Sequence, residues 1–454
     1  MLSDCLTKIG KSIMILDDVW EYFNLEEVGI PVGVNGIKLV LTTRSYDVCR
    51  QMLCQENIKI EPLSNKEAKS LFLEELKFKV DLNLEIEVVM DSIVKECEGL
   101  PIGLIMMARS MRGVTNVFEW RASLVKLKES SMGQTCMEKV LMNLKFSYDH
   151  LGNSNAQQCF LSCALNPEDR LIDKFELIEF FIDQGLIGGL NTRKEQYDRG
   201  LTILSKLGNV CLLEDHGHEM KMHDLILDMA LHIMSTTSIV KAGKRLRRIP
   251  PEEYWTDVLE KVSLMESEIS EFPLNMSPNC PKLSTLLLNR SLSKDVVLLD
   301  SFFKQLCGLK VLNLSGCQLT ELPNSILELV KLRALLLKNC MFLRRIPYLG
   351  KLTSLKKLDA SGYTVLKAPE GLEKLVNLRY LDLTNSYIAR LPKGTPDHLL
   401  DLQCLEVSVK EEDITKLGAL EAFGCSLQNI DDFNKCVRFI EQSDSPCYYK
   451  LEGI

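Results

Sequence analysis

Several features that mark other classes of protein are missing from this 454-residue sequence. No apolar run reaches about 18 residues, the least that a membrane-spanning helix needs, so we expect no transmembrane segment. Residues 1–10 carry Asp4 and Lys8 and have no long apolar core, which argues against a secretory signal. The six histidines are dispersed and no C-x-x-C pair occurs, so the sequence indicates no metal site of the zinc type.

An excess of positive charge is also missing. The chain has 54 Lys and Arg against 62 Asp and Glu, a net charge of −8 and a pI near 5.5. Because nucleic-acid binders are usually basic, we expect no nucleic-acid partner. The 16 cysteines are scattered, and most lie inside apolar periodic segments, as Cys159 and Cys163 do. This pattern indicates reduced thiols in the cytoplasm, with the nucleus or a membrane surface as alternatives, rather than a secreted disulfide framework.

A phosphate-binding loop is missing as well. Residues 13–20 read IMILDDVW, an apolar strand that ends in Asp17 and Asp18. In nucleotide-binding sheets such a strand presents its acids to Mg²⁺ and to an attacking water. The G-x-x-x-x-G-K-[ST] loop that normally comes before it does not occur in the sequence. The nearest match, GKS at residues 10–12, has Cys5 where the first glycine belongs and is followed by a strand.

The C-terminal half carries an internal repeat. Segments of the form L-x-x-L-x-L begin at Leu259, Leu283, Leu309, Leu332, Leu355, Leu378 and Leu402. The steps between them are 24, 26, 23, 23, 23 and 24 residues, which is the period of leucine-rich repeats. Alternate leucines of each segment face the core, and the residues between them face the concave surface. We therefore predict a leucine-rich-repeat solenoid, a fold that offers an interaction surface rather than catalytic chemistry.

Upstream of the repeats the pattern changes from α/β to helical. Apolar strands are predicted at 12–16, 38–42 and 57–60, with a helix near 47–53. Ser64 and Glu67 then form a capping box that opens a helix ending near Leu76. Further helical segments are predicted at 84–98, 103–112, 117–128, 137–150, 156–208 and 220–234.

Five short motifs, in this order, resemble the NB-ARC module of plant nucleotide-binding leucine-rich-repeat immune receptors. They are IMILDDVW at 13–20 (the Walker B element), KLVLTTRS at 38–45 (the sensor-arginine strand), GLPIGL at 99–104, CFLSCALNPEDRLIDKFELIEFFIDQGLI at 159–187 (the start of a winged helix) and MHD at 222–224. The tryptophan of LDDVW resembles the subclass whose N-terminal domain is a coiled coil. Together with the repeats, the resemblance covers nearly the whole chain.

The resemblance implies a multidomain fold. Residues 1–62 would be a partial α/β P-loop NTPase domain without its Walker A part, 63–145 a helical bundle subdomain and 146–240 a winged-helix subdomain. Residues 241–258 would be a linker, and 259–454 an α/β leucine-rich-repeat solenoid.

The resemblance also implies residue roles. Asp17 would hold Mg²⁺ through water, and Asp18 would orient or activate the hydrolytic water, although both also fit a solvated strand end. Arg44 would sense the γ-phosphate, for which a guanidinium fork is suited, with a surface salt bridge as the alternative. Pro101 would pack on adenine, or simply begin a helix. His223 would contact the β-phosphate of ADP and lock the winged helix, or be an ordinary packed residue.

The absence of the phosphate-binding loop affects the fold and the nucleotide binding that we expect of residues 1–62. In our reading of the family fold, the strand ahead of the phosphate loop lies between strands 12–16 and 38–42. Losing it would leave buried backbone groups unpaired, each at about 1–3 kcal/mol. We therefore expect residues 1–62 to be poorly folded or to form a rearranged sheet. Binding of ADP or ATP with Mg²⁺ should be weak or absent, because backbone N–H groups at the lost helix supply much of the phosphate affinity.

The implied function is that of an intracellular plant immune receptor of the ADP/ATP-switching type, here N-terminally truncated and without NTPase activity. The alternative is a partial receptor that acts as a protein-binding module without switching. Expected partners are a pathogen effector or a guarded host protein on the repeats, and a full-length receptor of the same family. A basic stripe on the concave face suits an acidic partner, although it also fits solubilising charge; it comprises Lys310, Arg333, Lys356, Lys357 and Arg379.

Overall fold

The chain divides into two units, residues 1–62 and 63–454, and each is described by itself. The structure, a computed structural model, describes residues 12–17, 19, 21–30, 37–43, 45–77, 84–130, 144–149, 151–273, 276–362, 368–384, 386, 391–392, 394–407, 417–426 and 448–452.

The first unit contains a two-stranded parallel sheet. Strands β1 (Ser12–Leu16) and β2 (Ile37–Leu41) pair directly along their whole length, and helix α1 (Tyr46–Gln51) follows. The expectation that these two strands lack a partner is therefore wrong, because their backbone groups bond to each other. The strand predicted at 57–60 is also wrong. That segment is irregular, and Ile58 and Ile60 are 83% and 85% exposed, so its apolar alternation has no sheet to face.

A helical bundle opens the second unit. Its helices are α2 (Asn65–Leu76), α3 (Leu84–Glu96), α4 (Pro101–Ser110) and α5 (Val117–Ser130). The predicted capping box is confirmed, because the Ser64 backbone N–H donates to Glu67 at 2.9 Å and Ser64 Oγ accepts from the Glu67 N–H at 3.4 Å. Phe72 and Trp120 pack 6.4 Å apart in the core that these helices bury.

A winged helix comes next. After a helical stretch at 144–149 come α6 (Ser154–Cys163), β3 (Ile172–Asp173), α7 (Lys174–Gln184), α8 (Arg193–Asn209), β4 (Glu214–His216), β5 (Glu219–Lys221) and α9 (Asp224–Met234). The three strands form an antiparallel sheet in the order β3-β5-β4, and the helices pack beside it around one apolar core. We call the elements from α6 to α9 the winged-helix subdomain.

The solenoid prediction is confirmed by one ten-stranded parallel sheet whose strands follow chain order. Its strands are β6 (Ser238–Val240), β7 (Lys261–Ser263), β8 (Thr285–Leu287), β9 (Val311–Asn313), β10 (Ala334–Leu336), β11 (Lys357–Asp359), β12 (Tyr380–Asp382), β13 (Cys404–Val407), β14 (Ala422–Ser426) and β15 (Tyr448–Glu452). The sheet thus begins at β6, ahead of the first sequence repeat.

The convex side carries short helical turns. They are the 3₁₀ helices Glu252–Tyr254, Asn324–Glu328, Leu349–Lys351 and Leu372–Lys374, with α10 (Asp300–Phe303) and α11 (Thr395–His398). Cysteine replaces the usual asparagine of the repeat at two positions. The thiols of Cys317 and Cys340 donate to the carbonyls of Leu288 and Leu314, at 2.9 and 3.1 Å. These bonds satisfy buried carbonyls of the preceding coil of the solenoid.

Candidate functional site

The concave face of the repeats is covered by the winged-helix subdomain. Side chains of strands β8 to β10 belong to the same buried apolar cluster as the winged helix, and these are Leu287, Val311 and Ala334. Val311 and Ala334 are fully buried. The two parts therefore share one core, which we call the concave interface.

A buried charge cluster lies at the centre of this interface. Lys357 Nζ on β11 donates to Glu179 Oε2 at 2.6 Å and lies 3.4 Å from Asp183 Oδ2, both on α7. The side chain of Lys357 is 11% exposed and that of Asp183 only 4%. Charges removed from water are costly unless they are paired. Separating β11 from α7 would therefore leave buried charges without partners.

Arg193 and two tyrosines complete the cluster. Arg193, the first residue of α8, donates to Glu179, and so does the Tyr197 hydroxyl. The ring of Tyr380 on β12 lies 5.5 Å from the Arg193 guanidinium carbon and 4.7 Å from Lys357 Nζ. Cations over an aromatic face are stabilised by the ring quadrupole. The cluster therefore holds two cations, two carboxylates and the aromatic faces that suit them.

The two carboxylates of the cluster have pKa values shifted in opposite directions. Burial disfavours the charge of Glu179, but Lys357 and Arg193 outweigh it and lower the pKa to about 2. Burial dominates at Asp183 and raises its pKa to about 6, with Lys357 opposing. Burial likewise disfavours the charge of Lys357, yet Asp183 and Glu179 hold its pKa above the usual value.

Polar contacts continue along the concave interface on both sides of the cluster. Ser263 on β7 donates to the Leu165 carbonyl at 2.7 Å. Toward the other end, Glu421 accepts from the backbone N–H of Arg193 at 2.8 Å and from Gln403 Nε2 at 2.9 Å. The interface therefore runs from the first repeat strand to β14.

The local sequence explains why α7 presents two acids to the repeats. Glu179 and Asp183 are four residues apart, so they lie on one face of the helix, within an otherwise apolar run. Asp173 caps the start of α7 by accepting from the Phe175 and Glu176 N–H groups, at 2.8 and 3.1 Å. Gly185 ends it in the left-handed region at φ +79°.

This arrangement corrects the expectation of an open basic stripe at Lys357, whereas Lys356 next to it is exposed. Lys357 is buried, and the acids that meet it belong to the same chain. Arg333 lies against Gly185, where a Cβ would come within 1.9 Å of Arg333 Nη1. Sequence reasoning missed Glu179, Asp183 and Arg193. The one available signal was the pair of acids at helical spacing inside the apolar segment FELIEFFIDQ.

The predicted nucleotide residues fall into both units. In the first, Asp17 is exposed just after β1, and the Thr42 hydroxyl donates to its carboxylate. The backbone N–H of Thr42 also donates to the Leu16 carbonyl at 2.9 Å. The carboxyl ends of both strands thus meet at one edge of the sheet. Asp18 and Arg44 lie outside the described residues.

Pro101 and His223 belong to the second unit. Pro101 is exposed and occupies the first position of α4, after the left-handed Gly99 that follows α3. His223 is the N-cap of α9, not a residue within it, and its Nδ1 accepts from the Leu225 N–H at 3.2 Å. A neutral imidazole that accepts at Nδ1 carries its hydrogen on Nε2, where it can donate to an anion.

Other site types are absent from the described part of the chain. Within it, no three residues among His, Cys, Asp and Glu are grouped as metal ligands would be. No described helix is long and apolar enough to cross a membrane.

Family models match three parts of the chain. Residues 1–81 match the NB-ARC domain, 165–230 the disease resistance protein winged helix domain and 308–329 the leucine rich repeat. NB-ARC is a nucleotide-binding family, and leucine-rich repeats generally mediate protein interactions.

Curated relatives come from Arabidopsis thaliana. A probable disease resistance protein is 36% identical over 357 residues, which is 76% of this chain and 38% of the relative. Disease resistance proteins SUMM2 and RPS5 are each 36% identical, over 76% and 71% of this chain and 40% and 37% of their own lengths. A solved structure, the functional domain of InlJ from Listeria monocytogenes, is 18% identical with a TM-score of 0.37, covering 48% of each chain.

The three domain matches occur in the order in which the motifs stand, and the named relatives are disease resistance proteins. This chain therefore belongs to the NB-ARC leucine-rich-repeat disease resistance proteins, and it spans about 38% of the length of the curated relatives it matches.

Proposed function

We propose that this chain is part of an intracellular plant immune receptor that is held closed by its concave interface. The buried cluster of Lys357, Glu179 and Asp183 carries this proposal, because it joins the winged-helix subdomain to the repeats without help from a nucleotide. A ligand that binds the concave face of the repeats at these strands must compete with, or enlarge, this contact. The partners that suit a repeat surface are a pathogen effector or a guarded host protein, with a full-length receptor of the same family as the partner in signalling.

We assign the domains as the motifs suggest. Residues 1–62 are the remaining part of the nucleotide-binding domain, 63–145 the helical subdomain and 146–240 the winged-helix subdomain. The linker is 241–258 and the repeats are 259–454, with β6 added to the same sheet. The free cysteines of the described residues suit a reducing cytoplasm.

The cofactor of the family is ADP or ATP with Mg²⁺, and five residues would contact it. Asp17 and Asp18 would serve Mg²⁺ and its water, and Arg44 the γ-phosphate. Pro101 would contact adenine, and His223 the β-phosphate. The exposed Asp17 carboxylate, the exposed Pro101 ring and the imidazole Nε2 suit these tasks individually. The bound nucleotide would supply the charge difference between the ADP and ATP states.

The phosphate loop does not occur in residues 1–454, so we propose that this polypeptide binds nucleotide weakly or not at all. Backbone N–H groups and a lysine supply most of the phosphate affinity in such sites. Titration calorimetry of purified residues 1–454 with ADP and Mg²⁺ should therefore detect no binding at low-micromolar concentration.

The same samples test whether the winged-helix subdomain stays on the concave face of the repeats without nucleotide. Hydrogen exchange of α7 (Lys174–Gln184) should be equally slow with and without ADP. Low-micromolar binding would contradict the proposal for the cofactor. Exchange of α7 that becomes slow only with ADP would contradict the proposal for the cluster.

A further inference from the structure

A cavity of about 180 Å³ lies where the winged-helix subdomain meets the first strands of the repeats. Leu161, Ile233 and Met234 are apolar residues of its lining, and Thr237 and Ser238 contribute polar groups. A single water needs only about 15 Å³ of such space, so the cavity has room for a small organic molecule.

Lys261, the first residue of β7, lines this cavity and is only 6% exposed. Its Nζ donates to Gln158 Oε1 and to Ser162 Oγ, both at 3.2 Å. Both acceptors are neutral, whereas an ammonium has three N–H donors and a full charge. Among the residues that the structure describes, no carboxylate lies within ion-pair distance of this nitrogen. Burial accordingly lowers the pKa of Lys261 to about 8.

Lys357 shows what a completed site looks like on the same sheet. It too is the first residue of its strand, is buried and faces the winged-helix subdomain. It has two carboxylates, Glu179 and Asp183, within 3.4 Å, and they hold its pKa above the usual value. Lys261 is buried in the same way but forms no ion pair with any described residue, and its exposed neighbour Glu260 only partly offsets the effect of burial on its pKa. Since buried charges are normally paired, the cavity beside Lys261 is where a counter-anion fits.

We propose that this cavity binds a small monocarboxylic acid with an apolar body. The carboxylate accepts a charge-assisted hydrogen bond from Lys261 Nζ, and the body packs on Leu161, Ile233 and Met234. Glu260 also lines the cavity and repels any anion in it, so a doubly charged phosphate is disfavoured more strongly than a singly charged carboxylate. Because the walls come from both the winged helix and the repeats, the bound acid stabilises the concave interface. This proposal does not depend on nucleotide.

Thermal unfolding of purified residues 1–454 tests the site. Butyrate and benzoate are added at pH 7, with ionic strength held constant by chloride, and the neutral amides butyramide and benzamide are matched controls. At about ten times the dissociation constant the acids should raise the unfolding midpoint by about 1–2 °C, and the amides should not. Lys261→Met should abolish this rise, whereas Lys351→Met, at an exposed lysine on a 3₁₀ helix, should leave it unchanged.

A second measurement covers the case in which Lys261→Met does not fold. Wild-type protein is reductively methylated at pH 8 with and without benzoate. Methylation of each lysine is then quantified by mass spectrometry of proteolytic peptides. Benzoate should slow methylation of Lys261 severalfold and leave Lys351 unaffected. Equal shifts with acids and amides, a shift that persists in Lys261→Met, or methylation of Lys261 that ignores benzoate would each overturn the proposal.

Discussion

At the residue scale, Glu179 and Asp183 show how position decides the charge of two similar side chains. They are one helical turn apart and share Lys357, yet burial raises the pKa of Asp183 to about 6 while Lys357 and Arg193 outweigh burial and lower that of Glu179 to about 2. A group with a lowered pKa adds stability above its unfolded pKa of about 4.3, and this is lost as the pH falls. A carboxyl group with a raised pKa adds stability below its unfolded pKa, and this stability is lost as the pH rises through the folded pKa.

The raised pKa of Asp183 predicts how a substitution at this residue changes stability with pH. Its contribution to stability is full below its unfolded pKa of about 3.9 and is lost as the pH rises through about 6. Asp183→Asn should therefore raise the free energy of unfolding at pH 7.5 by up to about 3 kcal/mol, and near pH 4.5 by only about 1 kcal/mol. Denaturant unfolding at both pH values measures this.

The control for this pair of measurements is Asp198→Asn, at an exposed position on α8. It should change the unfolding free energy little at either pH. If Asp183→Asn shifted stability equally at pH 4.5 and pH 7.5, the titration of Asp183 would not be the cause.

At the element scale, two glycines in α8 stand in different surroundings. A Cβ on Gly200 would lie 2.6 Å from Ile178 Cγ1 and 2.7 Å from its Cγ2, so the missing side chain lets α7 and α8 pack closely. The neighbours of Gly208 are Met220 Cε at 3.8 Å and the Leu213 carbonyl at 3.9 Å, which is ordinary contact. Because Ile178 is β-branched and buried, it cannot easily move aside.

The same substitution should therefore have opposite effects at these two positions. Gly200→Ala should lower the free energy of unfolding by about 1–3 kcal/mol through overpacking, although alanine favours a helix. Gly208→Ala should raise it by about 0.5–1 kcal/mol by restricting the unfolded chain. Chemical denaturation of both variants compares them. A gain in stability at both positions would show that α7 and α8 have room to adjust.

At the scale of the whole molecule, the charge cluster should decide whether the winged-helix subdomain stays on the repeats. Glu179→Lys places a third cation beside Lys357 and Arg193, and Lys357→Glu leaves three acids together. Breaking a buried pair costs about 3–5 kcal/mol, so each single variant should speed hydrogen exchange of α7 at least about a hundredfold. The double swap restores opposite charges and should return exchange part of the way to wild type.

Lys351→Glu is the control for this charge swap, because Lys351 is exposed. It should leave exchange of α7 unchanged. A double variant that exchanges as fast as the singles would contradict a direct pairing across the concave interface.

Much of the architecture could be predicted from sequence because local signals agree with it. The spacing of Leu309 and Leu332 places strands β9 and β10, and Ser64 with Glu67 marks the start of α2. The sequence was a poorer guide to which strands pair with each other. β1 and β2 pair directly, although loss of the strand ahead of the phosphate loop was expected to leave them without a partner. The segment 57–60 alternates like a strand, but alternation does not ensure that a partner strand is present.

The sequence by itself determined the repeat, most helices and the family, because hydrophobic period, capping and motif order are local properties of the chain. It missed β3 and β5, which interrupt the predicted helical segments 156–208 and 220–234. Only the tertiary structure decided what the concave face meets. Lys357 and Glu179 are 178 residues apart, and no local pattern links them. Their pairing depends on how two separately patterned domains pack, and burial then sets the charge of each group. The same packing left Lys261 buried without an ion pair to any described residue, for the same physical reason.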